Sequence, residues 1–163
     1  MRIEKLIGAH LRKKGWTLSI SESCTGGLVC DRITNVPGSS DYFEGGMVNY
    51  SNRSKAKHLG IPLGDIKKYG AVSPQVAKHM AQGIRKTFHT TFGISTTGVA
   101  GPAGGTNRSP VGRVFIGIAK GNRTWVKKLD LKGTRRAIKE KSTQKALQIL
   151  YRIIKLHIKK STY

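Results

Sequence analysis

A chain of 163 residues can bury one core but not two, and 37% hydrophobic residues with 20 glycines is the make-up of a soluble α/β domain rich in tight turns. Thirty Lys and Arg against eight Asp and Glu give a formal net charge of +22, a field that draws phosphate on a nucleotide, on RNA or on a membrane surface. No apolar run approaches the ~20 residues that cross a bilayer, and Met1 to Ile7 lacks the apolar core of a signal peptide, so a cytoplasmic protein with no membrane role is expected.

Ile3, Leu6, Ile7 and Leu11 form one stripe of an opening helix that stops at Gly15. Trp16 to Ile20 alternates apolar and polar, the pattern of a half-buried strand. A second helix is expected from about Thr25 to Thr34, and a strand with a glycine pair from Tyr42 to Tyr50. Ser51 or Asn52 then caps a short helix carrying Lys55 and Lys57, ending at Gly60. Leu63 to Tyr69 reads as one more helical turn, and Ser73-Pro74 opens a helix running to about Phe88. Thr91 to Thr97 is a third strand leading into the glycine-rich Gly98 to Gly105. Gly112 to Ala119 and Thr124 to Leu131 pair as a hairpin around Gly121-Asn122, and a last helix runs from about Thr134 to Lys159. Helices alternating with the early strands, then a hairpin, predict a single domain over 1–163: a three-layer α/β/α sandwich on a mixed, mostly parallel five-stranded sheet.

Ser21-Glu22-Ser23-Cys24-Thr25-Gly26-Gly27 falls between the first strand and the second helix. A turn there puts small polar side chains and backbone N–H groups at the carboxyl edge of the sheet, where ligands bind in α/β folds. Ser, Thr and Gly also gather at helix starts for structural reasons alone, so the stretch needs partners. A serine hydroxyl becomes a nucleophile only beside a base. No histidine lies in a loop aimed at that edge, whereas Lys55 follows closely on a strand end, and a desolvated lysine can act as a base. Tyr50 is placed to relay the proton or to bind the tetrahedral oxygen, with N–H groups near Cys24 to Gly26 as further donors. Cys24 is the rival nucleophile in the same turn. Cys24 and Cys30 lack metal-ligand spacing, and the five histidines are scattered, so no metal and no cofactor is expected.

The blocks Glu22-Ser23-Cys24-Thr25-Gly26-Gly27, Pro37-Gly38-Ser39-Ser40, Tyr50 to Lys55, Gly70-Ala71-Val72-Ser73 and Thr97 to Pro102 resemble, in order, the signature blocks of the CinA C-terminal domain family. The resemblance implies nicotinamide-nucleotide amidohydrolase activity: the carboxamide of nicotinamide mononucleotide is hydrolysed to nicotinic acid mononucleotide and ammonia, in pyridine nucleotide recycling. It implies Ser23 as nucleophile, Lys55 as base and Tyr50 as assistant. Thr25, Gly26, Gly27, Gly98, Gly101, Gly104, Gly105 and Arg135 would contact substrate, Arg135 at the phosphate. A homodimer is the family precedent. The family often has Asp where this chain has Ala103. The competing reading is a basic RNA-binding module without catalysis, or non-specific polyanion binding through the +22 charge, although 11 aromatic residues form no platform-like cluster.

Overall fold

The computed structural model describes residues 2–160, with side chains through residue 158. Of the expected domain, residues 1 and 161–163 lie outside the described residues. The chain forms α1 (Ile3–Lys14), β1 (Leu18–Glu22), α2 (Leu28–Thr34), β2 (Phe43–Val48), α3 (Asn52–Leu59), α4 (Leu63–Tyr69), α5 (Pro74–Thr87), β3 (Phe92–Gly98), β4 (Arg113–Lys120), β5 (Arg123–Asp130) and α6 (Arg135–Lys160).

Local chemistry sets the boundaries. Gly15 closes α1 in the left-handed region at φ 61°, and its N–H returns to the Arg12 and Leu11 carbonyls. The Ser51 hydroxyl accepts from Ser54 N and starts α3; Ser73 does the same for Val76 N, with Pro74 in the first turn of α5. The second helix begins at Leu28 rather than near Thr25, because Thr25 to Gly27 are spent on a turn with Gly26 and Gly27 at φ 62° and 100°.

The strand order is β2-β1-β3-β4-β5. β1 runs parallel to both neighbours, and β3, β4 and β5 are successively antiparallel, so β4 alone opposes the other strands. The sheet is therefore the mixed, mostly parallel one expected. Glu22 pairs with Val48 on one side and Thr96 on the other, which brings the ends of β1, β2 and β3 to one edge. Ser23, Asn49-Tyr50 and the loop after Gly98 all emerge there.

The two faces of the sheet differ in chemistry. Toward α1, α2 and α6 point Leu18, Ile20, Phe92, Ile94, Ile116 and Ile118, packed with Ile7, Leu11, Leu147 and Leu150 into the main core. Toward α5 point Ser19, Gly93 and Ser95, with Gly117 of β4 beside Ser95. The Ser19 and Ser95 hydroxyls donate to the Ile84 and Ala77 carbonyls at 3.2 and 2.6 Å, so the helix backbone lies directly on the sheet. A Cβ at Gly117 would sit 2.7 Å from the Ala77 carbonyl oxygen. The Trp16 to Ile20 alternation had suggested one wet face, but every residue of β1 is buried. Its polar face is dry too, satisfied by hydroxyl-to-carbonyl bonds under α5. A smaller cluster of Leu59, Ile61, Ile66, Val76, Met80 and Ile84 joins α3, α4 and α5 outside that layer.

Candidate active site

Ser23 leaves β1 with its N–H held by the Thr96 carbonyl at 2.9 Å, which fixes the turn against β3. From the other side, α3 turns Lys55 inward, leaving it 1% exposed, while Lys57 on the same helix faces solvent. The Lys55 amine meets three oxygens: Ser23 Oγ at 3.2 Å, the Asn49 carbonyl at 2.9 Å and the Tyr50 carbonyl at 3.0 Å. A neutral amine has two hydrogens and one lone pair, so the two carbonyls can take the hydrogens and leave the lone pair for the Ser23 hydroxyl. Burial pushes the Lys55 pKa down from 10.5 to about 8.

The pair opens into a cavity of about 250 Å³. Tyr50, Ala71, Val72, Gly98, Gly101, Gly104 and Arg135 line its walls with the pair. Arg135 donates to the Gly101 carbonyl at 2.8 Å and to the Tyr50 hydroxyl at 3.2 Å, bridging the glycine-rich loop and the end of β2 across the mouth. At Gly101 (φ 72°) a Cβ would run into Val111, so the loop can turn there only without a side chain.

Other expected contacts fall elsewhere. Thr25 is fully buried and shares a 2.7 Å hydrogen bond with the Thr96 hydroxyl, tying the turn to β3 rather than facing the cavity. Gly26 lies under Lys139 and Gly27 beside Val48, and neither lines the cavity. Gly105 packs against Val111 at the base of its loop. Nor does the Tyr50 hydroxyl stand between Ser23 and Lys55. It faces out with Arg135 on a side chain 62% exposed, and the residue's contact with the amine is through its carbonyl.

The donors expected at the start of α2 are partly spent. The buried Glu22 carboxylate accepts from Gly27 N (3.0 Å), Val29 N (3.1 Å) and Cys30 N (2.8 Å), capping the helix that its own strand leads into. Gly26 N turns back to the Ser23 carbonyl. Among the described residues, the Thr25 N–H donates to no backbone carbonyl, while the Cys24 N–H lies against its own sulfur. The Cys24 thiol touches the cavity, yet burial pushes its pKa up to about 12, which keeps it protonated and unreactive near neutrality. Among the described residues no three of His, Cys, Asp and Glu gather as a metal site. No helix among them is long and apolar enough to cross a membrane.

Asn49, Ala71 and Val72 carried no site signal of their own, although Ala71 and Val72 fall in the Gly70 to Ser73 block. Asn49 is named by no local pattern, because its role depends on contacts with β1.

The family model of the CinA C-terminal domain matches residues 1–154. A competence-damage inducible protein of Clostridium kluyveri is 47% identical over 154 residues, covering 94% of this chain and 38% of that protein. One of Moorella thermoacetica is 48% identical over 153 residues, covering 94% and 37%. The chain thus spans little more than a third of the length of these curated relatives. Among solved structures, the competence/damage inducible protein CihA from Agrobacterium tumefaciens superposes with a TM-score of 0.88 at 32% identity, covering 91% of each chain. A CinA superfamily protein from Enterobacter cloacae superposes with a TM-score of 0.90 at 27% identity, covering 93% of this chain and 90% of that one.

Proposed function

The chain belongs to the CinA C-terminal domain family, and from that premise we propose that it is a nicotinamide-nucleotide amidohydrolase, converting nicotinamide mononucleotide and water to nicotinic acid mononucleotide and ammonia. The observation that carries this reading is the Lys55 amine 3.2 Å from the Ser23 hydroxyl, inside a cavity and below its ordinary pKa.

Neutral Lys55 takes the Ser23 proton as Oγ forms a bond to the carboxamide carbon. The oxygen of the tetrahedral adduct is met by backbone N–H groups of the turn that follows Ser23. The Lys55 ammonium then protonates the departing nitrogen, the C–N bond breaks and ammonia leaves. Water attacks the remaining ester by the same base, releasing the acid and restoring Ser23. Arg135 uses two of its five N–H donors on Gly101 and Tyr50 and keeps the rest for the nucleotide phosphate at the mouth. The protein is read as cytoplasmic from its sequence and as a homodimer on family precedent.

Ammonia release measured with nicotinamide mononucleotide tests the reading. Turnover is expected and is expected to persist in chelator, since water activation falls to Lys55. The net charge of +22 favours a second reading, a polyanion-binding module without catalysis. Salt-sensitive RNA binding by a wild-type protein that releases no ammonia would establish that reading instead.

A further inference from the structure

Asn49, the residue after β2, is 1% exposed and has every polar group engaged. Its N–H donates to the Glu22 carbonyl at 2.7 Å, extending the β1–β2 ladder by one residue. Its carbonyl accepts from the Lys55 amine at 2.9 Å. Its side-chain Oδ1 accepts from Ser21 Oγ at 2.9 Å, and Nδ2 donates to Ser54 Oγ at 3.2 Å. Ser21 lies two residues before Ser23, on the strand that presents the nucleophile. Ser54 directly precedes Lys55, on the helix that presents the base. The amide is thus a strut between the two elements whose spacing defines the pair.

We propose that Asn49 is the positioning residue of this site: its side chain, bonded to Ser21 on one side and Ser54 on the other, sets the spacing between Ser23 and Lys55. The proposal rests on the Ser-Lys reading above. Removing the amide leaves the Ser21 hydroxyl without its partner, frees α3 to drift from β1, and admits water that favours the charged amine. The base then titrates closer to an ordinary lysine. Other titratable or charged groups near the pair are Cys24 in the turn, Lys139 of α6 over Gly26, Glu22 committed to α2, and Tyr50 with Arg135 at the mouth; the test alters none of them.

The test reads Ser23 itself, independently of the amide substrate. A fluorophosphonate phosphonylates an activated serine: the Oγ–P bond forms, fluoride leaves and Lys55 takes the proton. Labelling of Ser23 is followed by peptide mass spectrometry across pH. In the wild type the rate is expected to rise up to tenfold per pH unit and level off above about 8. In Asn49→Ala it is expected to fall about tenfold or more at pH 8, with the rising limb displaced by about one unit to higher pH. Ser54→Ala, which removes only one arm of the strut from a half-buried position, should show the same displacement in smaller measure. Where Asn49→Ala folds, its limb decides: a displaced limb supports the proposal, and an unmoved one, even at a lower rate, reduces Asn49 to packing and overturns it. Where it does not fold, the limb of Ser54→Ala decides in the same way. A wild type that is never labelled removes the Ser-Lys reading and this proposal together, whereas labelling with unmoved limbs removes this proposal alone.

Discussion

One face of the sheet is filled with Leu, Ile and Phe against α1, α2 and α6; the other carries hydroxyls and glycines against α5. The first gains its stability by taking apolar area out of water, a term that tolerates small displacements. The second is held by short directional bonds that fix backbone to backbone, and it continues at the carboxyl edge into Ser23, Asn49 and Lys55. Adhesion and alignment are thus assigned to opposite sides of the same strands. Substitutions on the aliphatic side should alter stability and leave chemistry per folded molecule alone, and those at the hydroxyl edge should act on chemistry whatever they do to stability.

The sharpest separation is expected from Ser23→Ala. Ammonia release should fall at least about a thousandfold with the melting temperature unchanged, and a variant retaining near-wild-type turnover would take Ser23 out of the mechanism. Lys55→Met should lose activity on the same scale yet gain stability by about 1–3 kcal/mol at pH 7, because it removes a buried amine. The sign follows from the folded pKa of about 8 lying below the unfolded 10.5. The burial cost is in full force below pH 8 and is relieved as pH climbs through 10.5, so the advantage of Met in denaturant melts should vanish at high pH. On the aliphatic side, Ile116→Ala should cost about 2–5 kcal/mol by urea unfolding while kcat per folded molecule stays put. The smallest effect is in the wild type: with a base titrating at about 8, activity should rise roughly fivefold from pH 7 to 8 and then flatten. A profile flat from pH 6 upward would contradict a lysine base.

Much of the frame was legible from short-range patterns. Gly15, Ser51, Ser73-Pro74 and Gly121-Asn122 each declare a boundary through their own backbone preferences, and the structure places caps and turns there. Ser23 and Lys55 were both visible because one sits in a strand-to-helix turn and the other just inside a capped helix. The meeting of the two follows from parallel pairing of β1 with β2, which periodicity cannot supply. The dry second face of β1 was hidden for a related reason. Serines alternating with aliphatics look alike whether water or a helix backbone lies over them, and only the glycines at 93 and 117 permit the latter. Thr25 and Gly26 look like ligand groups by composition, but one is bonded to β3 and the other shapes the turn. Asn49 was silent because an asparagine after a strand ordinarily signals a loop.

The three bonds from the Glu22 carboxylate to the amides of Gly27, Val29 and Cys30 join the last residue of β1 to the start of α2. A seven-residue helix has little tendency to persist alone in water, so its amides should become shielded from deuterium exchange only together with the strand. The two elements then open as one cooperative unit, and Ser23, lodged between them, is either fully placed or absent, with no half-formed site exposed to proteases or stray electrophiles.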